Sequence, residues 1–244
     1  MSEARRITYG RHPAQFGELS VPRRAEHAGT VVIIHGGFWR ARYTLELGRP
    51  LAADLAARGY ACWNIEYRRV GNGGGWPATF DDVAAAIDHL ADLDVDSSRV
   101  VAIGHSAGGH LAVLAAGRPQ ARVPLAAAVA QAGVLDLAAA VRGRLGGGAA
   151  LELLGAATPD ERHAAADPLR AVPLPVPVLC VHARADDTVP FSQSESYVAA
   201  ASRGGGQAVL REVPGDHYTL IDPADASWAL VRNALPDLLA GQLP

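Results

Sequence analysis

The stretch that decides the fold runs from Arg99 to Ala116. The apolar run Val100-Val101-Ala102-Ile103 leads into Gly104-His105-Ser106-Ala107-Gly108, and Gly109-His110-Leu111-Ala112-Val113-Leu114-Ala115-Ala116 follows without a break. A β-branched run, a G-x-S-x-G turn and an Ala/Leu run of helical length make a strand, a tight turn and a helix. Small residues on both sides of the serine relieve crowding there, and its Oγ is lifted clear at the carboxyl edge of the sheet. A serine in an ordinary helix-capping turn is the plain alternative.

Outward from this point the chain keeps alternating. The pattern predicts strands over Thr30 to Ile34, Tyr60 to Glu66, Arg99 to Ile103, Leu125 to Gln131, Val178 to His182 and Ala208 to Val213. Helices are predicted over Arg49 to Arg58, Asp81 to Leu93, Ala107 to Gly117, Ser192 to Arg203 and Ser227 to Ala240. Such alternation specifies βαβ units and a mostly parallel sheet with helices on both faces. Gly59 is placed to close the first helix, Asp81 to cap the second, and Gly117 with Pro119 to end the third. Ile7 to Val21 is expected to form an antiparallel edge hairpin.

One segment departs from the alternation. Between Leu137 and Pro177, Gly146-Gly147-Gly148, Pro159, Pro168, Pro173, Pro175 and Pro177 interrupt Ala-rich pieces. Two readings stand: a small cap over the carboxyl edge, where open sheets bind ligands, or a solvated loop with one or two short helices.

The chain of 244 residues fits one domain over 1–244. With 49% apolar and 19% charged residues, it has ample material for a core and is not disordered. A net charge of -3 from 22 basic and 25 acidic residues offers no attraction to phosphate backbones or anionic lipid, so neither nucleic acid nor membrane is an expected partner. There is no lysine, and every basic residue is arginine. Cys62 and Cys180 lie far apart in apolar runs, which excludes a disulfide scaffold and a clustered metal site; reduced core thiols are expected. No apolar run follows the start at Met1, and Val123 to Leu135, broken by Pro124 and Gln131, is too short to span a bilayer. A cytoplasmic protein is the expectation. The glycine tracts at 71–75 and 204–206 read as short loops.

A serine hydroxyl is a weak nucleophile at neutral pH, so acyl transfer needs a base, an acid to orient it and donors for the oxyanion. Nine histidines are present, at His12, His27, His35, His89, His105, His110, His163, His182 and His217. Where the chain order is nucleophile, acid, base, the base follows the last strand and precedes the last helix, which selects His217. His105 lies inside the turn and His110 points down the side of the helix, so both read as structural. His35 and His182 end strands and are expected to bond backbone rather than a metal, since no ligand set accompanies them. For the acid, Asp186 and Asp187 leave the end of a strand together, and spacing does not choose between them. For the oxyanion, His35-Gly36-Gly37-Phe38-Trp39 follows the first parallel strand. The N–H groups of Gly37, Phe38 and Ala107 are the candidate donors.

These residues resemble the α/β-hydrolase superfamily, and more narrowly its esterase and kynurenine formamidase branch with an HGGxW loop. The resemblance spans roughly residues 30–235 and also rests on Tyr67-Arg68, on Pro77-Ala78-Thr79-Phe80-Asp81-Asp82-Val83 and on Asp186-Asp187-Thr188-Val189-Pro190. It implies a mostly parallel twisted sheet of about seven or eight strands. In prolyl-oligopeptidase-like relatives the acid is the Asp of an HGxxDxxV pattern, which implies Asp186 here; Ala183 stands where that pattern has glycine. The chain is too compact for a propeller or large lid, so the resemblance implies an esterase rather than a peptidase. Trp39 and Trp76 fall in loops near the site, where they either flank the substrate or pack against the sheet.

The function expected is a cofactor-free, metal-free serine hydrolase of small carboxylic esters, with Ser106, His217 and Asp186 as its catalytic residues. Cleavage of an N-formyl aryl amide is the narrower alternative that the HGGxW resemblance suggests. A hydrolase-fold binding protein without turnover is a third reading. A dinucleotide-binding enzyme is disfavoured because no G-x-G-x-x-G turn follows the first strand, and a P-loop because no Lys-Ser/Thr follows the glycine tract.

Overall fold

Alternate residues of a strand face opposite ways, and Val31-Val32-Ile33-Ile34 is apolar at every position, so this strand needs cover on both faces. The computed structural model describes all residues except 1–3, 23–27 and 157–159 and supplies that cover. His27, Pro159 and the first three residues of the chain lie outside the described residues.

An antiparallel hairpin of β1 (Arg5–Thr8) and β2 (Phe16–Ser20) comes first, where the sequence predicts one. Then β3 (Thr30–Ile34), α1 (Arg49–Ala57), β4 (Ala61–Ile65), α2 (Ala78–Asp88), β5 (Val100–His105) and α3 (Ala107–Ala116) follow in alternation. β6 (Ala127–Gln131) is separated from β7 (Val178–Ala183) by α4 (Leu137–Arg142), α5 (Leu145–Leu154) and α6 (Glu161–Ala165). The chain closes with α7 (Ser192–Arg203), β8 (Ala208–Val213) and α8 (Ala226–Leu239).

Among the described residues the strands form one eight-stranded sheet in the order β1-β2-β4-β3-β5-β6-β7-β8. From β4 to β8 across the sheet all neighbours are parallel, and β2 joins β4 antiparallel. Val31 and Ile33 face a core layer with Leu51 and Leu55 of α1 and Trp228 and Leu235 of α8. Val32 and Ile34 face the other layer, with Val83 of α2, Leu111 of α3 and Tyr197 of α7. Each large side chain buried in this way contributes about 1.5–3 kcal/mol.

The strand order reverses at β3. Chain leaving β3 goes to β4 on one side, and chain leaving β4 returns to β5 on the other. The carboxyl ends of β3 and β5 therefore flank the crevice in which open α/β sheets bind ligands. At one end stands the His35-Gly36-Gly37 loop, at the other Ser106.

Asp81 does not cap α2, which starts three residues earlier. Pro77 precedes the helix, and the Thr79 hydroxyl accepts the Gly75 N–H at 2.9 Å and donates to the Arg68 carbonyl at 2.6 Å. A proline entering the first turn with a threonine inside it outcompetes the aspartate as the start signal. No helix among the described residues is long and apolar enough to cross a membrane.

Candidate active site

Ser106 sits between β5 and α3 with φ 55° and ψ -119°, a conformation that glycine adopts freely and serine does not. Its N–H still completes the sheet by donating to the Gln131 carbonyl at 2.8 Å. Its carbonyl accepts from Gly109 and His110 N–H, so one residue ends the strand and starts the helix. Helix α3 begins at Ala107, whose N–H belongs to the first turn and has no intrahelical acceptor.

The loop after β3 lies against this elbow. A Cβ on Gly36 would stand 3.0 Å from Ser106 Cβ and 2.8 Å from the His105 carbonyl oxygen. Beyond it Gly37 (φ 111°), Phe38 (52°) and Trp39 (55°) are three successive left-handed residues. Trp39 turns inward and is 1% exposed, edge-on to His110 at 5.1 Å between ring centroids. That places its side chain in the core. Trp76 is half-buried, T-shaped to Phe80 at 4.8 Å, and its backbone N–H donates to the Leu153 carbonyl at 2.7 Å.

His217 follows β8 and its Nδ1 is 2.7 Å from Asp186 Oδ2. The other oxygen, Asp186 Oδ1, accepts the N–H groups of Thr188 and Val189, both at 2.8 Å. Asp187 is exposed and takes the Thr188 hydroxyl at 3.1 Å. Spacing left the two aspartates equal; side-chain direction separates them. His182, which the sequence reading assigned only to backbone, does bond the Val189 carbonyl (3.0 Å), and its Nε2 also lies 3.3 Å from Asp186 Oδ2. Burial alone would raise the Asp186 carboxyl, but hydrogen bonds from His182, His217 and Val189 outweigh it and hold the group well below the usual carboxylate range.

His105 joins the two halves of the site. Its Nε2 contacts the His217 carbonyl oxygen at 2.8 Å, and the two imidazoles lie 4.5 Å apart. Burial first, and the neighbouring His217 second, push the His105 pKa down to about 3, so this ring is neutral and donates from Nε2. His110 is held by the Ala166 carbonyl at 2.7 Å, and burial lowers it to about 4.

The segment between β6 and β7 reaches this edge. Arg40 of the glycine loop bonds Glu152 of α5 through two N–H groups at 2.8 Å each. A Cβ on Gly146 would meet the Phe38 ring at 2.5 Å. The segment thus packs on the loop that carries the candidate oxyanion donors, and it is helical along much of its length.

Esterase LipQ of Mycobacterium tuberculosis is 28% identical over 245 residues, covering 91% of this chain. Esterase LipC of the same organism is 36% identical over 119 residues, covering 46% of this chain. This chain spans only 29% of LipC and 56% of LipQ. A truncated carbohydrate esterase from gut microbiota superposes with a TM-score of 0.82 at 20% identity, covering 98% of this chain and 97% of that one. Thermogutta terrifontis esterase 2 phosphonylated by sarin superposes at 0.79 with 22% identity, covering 100% and 97%. Superpositions this close establish a shared α/β-hydrolase fold, and at such low identity they establish the fold alone. The family model BD-FAE matches residues 18–200, from β2 into α7, and the chain accordingly belongs to the BD-FAE family.

Proposed function

We propose that this chain is a serine hydrolase that cleaves small carboxylic esters through an acyl-enzyme. The observation that carries the reading is the 2.7 Å contact between His217 Nδ1 and a buried Asp186, set beside the elbow that holds Ser106. Ser106 Oγ attacks the ester carbonyl carbon and its proton passes to His217 Nε2. Asp186 orients the ring and stabilises the imidazolium. The N–H groups of Gly37, Phe38 and Ala107 receive the developing oxyanion. The intermediate collapses, the C–O bond breaks and the alcohol leaves with the proton from His217. Water, deprotonated by the same histidine, then releases the acid and restores Ser106. The steps balance with substrate, water and these side chains.

Four likenesses support the reading: two relatives named esterases, a carbohydrate esterase of the same fold, and a neighbour that is phosphonylated by sarin. Fluorophosphonate labelling of the native chain and of Ser106→Ala, with mapping of the modified peptide, tests it. Label on Ser106 that vanishes in the variant is expected; a folded native chain that takes no label overturns it. A panel of p-nitrophenyl esters, acetylated sugars and N-formylkynurenine, ranked by kcat/KM, then separates ester from formamide cleavage.

A further inference from the structure

The loop that carries the candidate oxyanion donors leaves β3 at His35 and rejoins helical chain at Leu45. Both ends are bonded to one buried carboxylate. Glu66, the residue after β4, is 3% exposed. Its Oε1 accepts from His35 Nε2 at 3.0 Å, from the Tyr67 N–H at 3.1 Å and from Arg69 Nη1 at 2.7 Å. Its Oε2 accepts the Leu45 N–H at 3.1 Å. Neighbours extend the hold. Tyr67 stacks on the His35 ring at 4.5 Å and donates its hydroxyl to the His35 carbonyl at 2.7 Å, and Arg69 donates to the Tyr43 carbonyl.

His35 Nδ1 lies 2.8 Å from the Gly36 carbonyl oxygen. A carboxylate taken out of water is costly unless it is paired and its lone pairs are filled. Here His35, Arg69 and two backbone N–H groups fill them. Burial would raise the Glu66 carboxyl, and these bonds hold it below its usual range instead. Within the loop, Phe38 and Trp39 occupy left-handed backbone that such residues keep only where their surroundings over-determine it.

We propose that Glu66 is a positioning residue: by gripping His35 and Leu45 at once it fixes the loop so that the Gly37 and Phe38 N–H groups are preset for the oxyanion. This rests on the serine-hydrolase reading for its catalytic consequence, but not for its structural one. Glu66→Gln keeps the shape, yet its single carbonyl oxygen cannot serve all four donors, and its NH₂ must face at least one of them.

The test is hydrogen exchange by mass spectrometry on the full chain, native against Glu66→Gln, joined to kinetics on a p-nitrophenyl ester. Exchange in peptides covering residues 36–44 is expected to speed up by about tenfold or more, with α3 unchanged. The kcat should fall by roughly tenfold to a hundredfold with KM within about threefold, because displaced donors act on the transition state. Tyr67→Phe, which removes one bond only, should give a smaller change of the same kind and serves if Glu66→Gln does not fold. Unchanged loop exchange, or faster exchange across the whole chain with kcat per folded molecule intact, overturns the proposal. If the native chain neither labels nor turns over, the hydrolase reading fails while loop exchange still decides the clamp.

Discussion

A Cβ on Gly104 would stand 2.0 Å from the carbonyl oxygen of Gly108. The end of β5 and the first turn of α3 touch backbone to backbone across the elbow, and Gly108 in turn has the Ile34 carbonyl 2.0 Å from its own missing Cβ. No side-chain rotation relieves such a contact. Gly104→Ala should therefore cost about 3 kcal/mol or more in urea unfolding. A cost under about 1 kcal/mol would mean that the elbow is looser than drawn.

Ser106 holds its backbone at φ 55° and ψ -119°, where a Cβ is strained. Strain of this kind costs about 1–3 kcal/mol. Ser106→Gly and Ser106→Ala both remove the hydroxyl, but only glycine releases the strain. Thermal melts should find the glycine variant more stable than the alanine variant by about 1 kcal/mol, after allowing for the freer unfolded chain of glycine. Equal or reversed stability would remove the strain argument.

Of the adjacent aspartates, only Asp186 contacts His217. Asp186→Asn should lower kcat on the order of 10⁴-fold, since the amide favours the wrong tautomer of the histidine. Asp187→Asn, at an exposed side chain, should leave kcat within about twofold. Steady-state kinetics of the two variants on one ester decides the assignment.

Gly146 and Gly147 are both left-handed, at φ 59° and 73°, but the missing Cβ of Gly146 would meet the Phe38 ring at 2.5 Å and that of Gly147 meets nothing within 4 Å. Alanine should strain both sites by about 1 kcal/mol. Only Gly146→Ala should also lower kcat/KM, by about tenfold, equivalent to roughly 1.4 kcal/mol of barrier. Equal kinetics for the two variants would uncouple the segment from the loop.

His105 and His110 are buried as neutral rings, with pKa values of about 3 and about 4 against 6.5 in the unfolded chain. Below pH 6.5 the unfolded chain takes up protons that the native chain refuses. Stability should thus be fully present above pH 6.5 and fall as pH drops toward 4, by up to about 1.4 kcal/mol per pH unit for each ring. Urea unfolding at several pH values checks this, and His110→Gln should flatten the slope. A level profile through that window would contradict the burial of these rings as neutral groups.

Sequence reading served best where a signal is local. The strand Thr30–Ile34, the helix Ser192–Arg203 and the strand Ala208–Val213 have the bounds that periodicity and punctuation predict. The elbow was legible because its glycines are required by contacts within a few residues and one neighbouring strand. Side-chain direction was not. For Trp39 the sequence favours a core residue over a substrate wall, and the left-handed turn at Phe38 and Trp39 carries the ring inward. Glu66 left no trace, because its partner His35 is 31 positions away and no spacing rule joins the two; His182 was legible as a strand-end histidine bonded to backbone, but not its contact with Asp186 four positions on.

The two outermost strands carry a further consequence. At one edge β1 reads Arg5-Arg6-Ile7-Thr8, with the Arg6 guanidinium lying 3.5 Å over the Phe16 ring. At the other, β8 presents Arg211 and Glu212, the latter paired with Arg184 at 2.7 Å. Charges at both borders make a sheet a poorer template for a strand from a second copy. Crowded chains of this protein should therefore resist the edge-to-edge aggregation to which open sheets are prone.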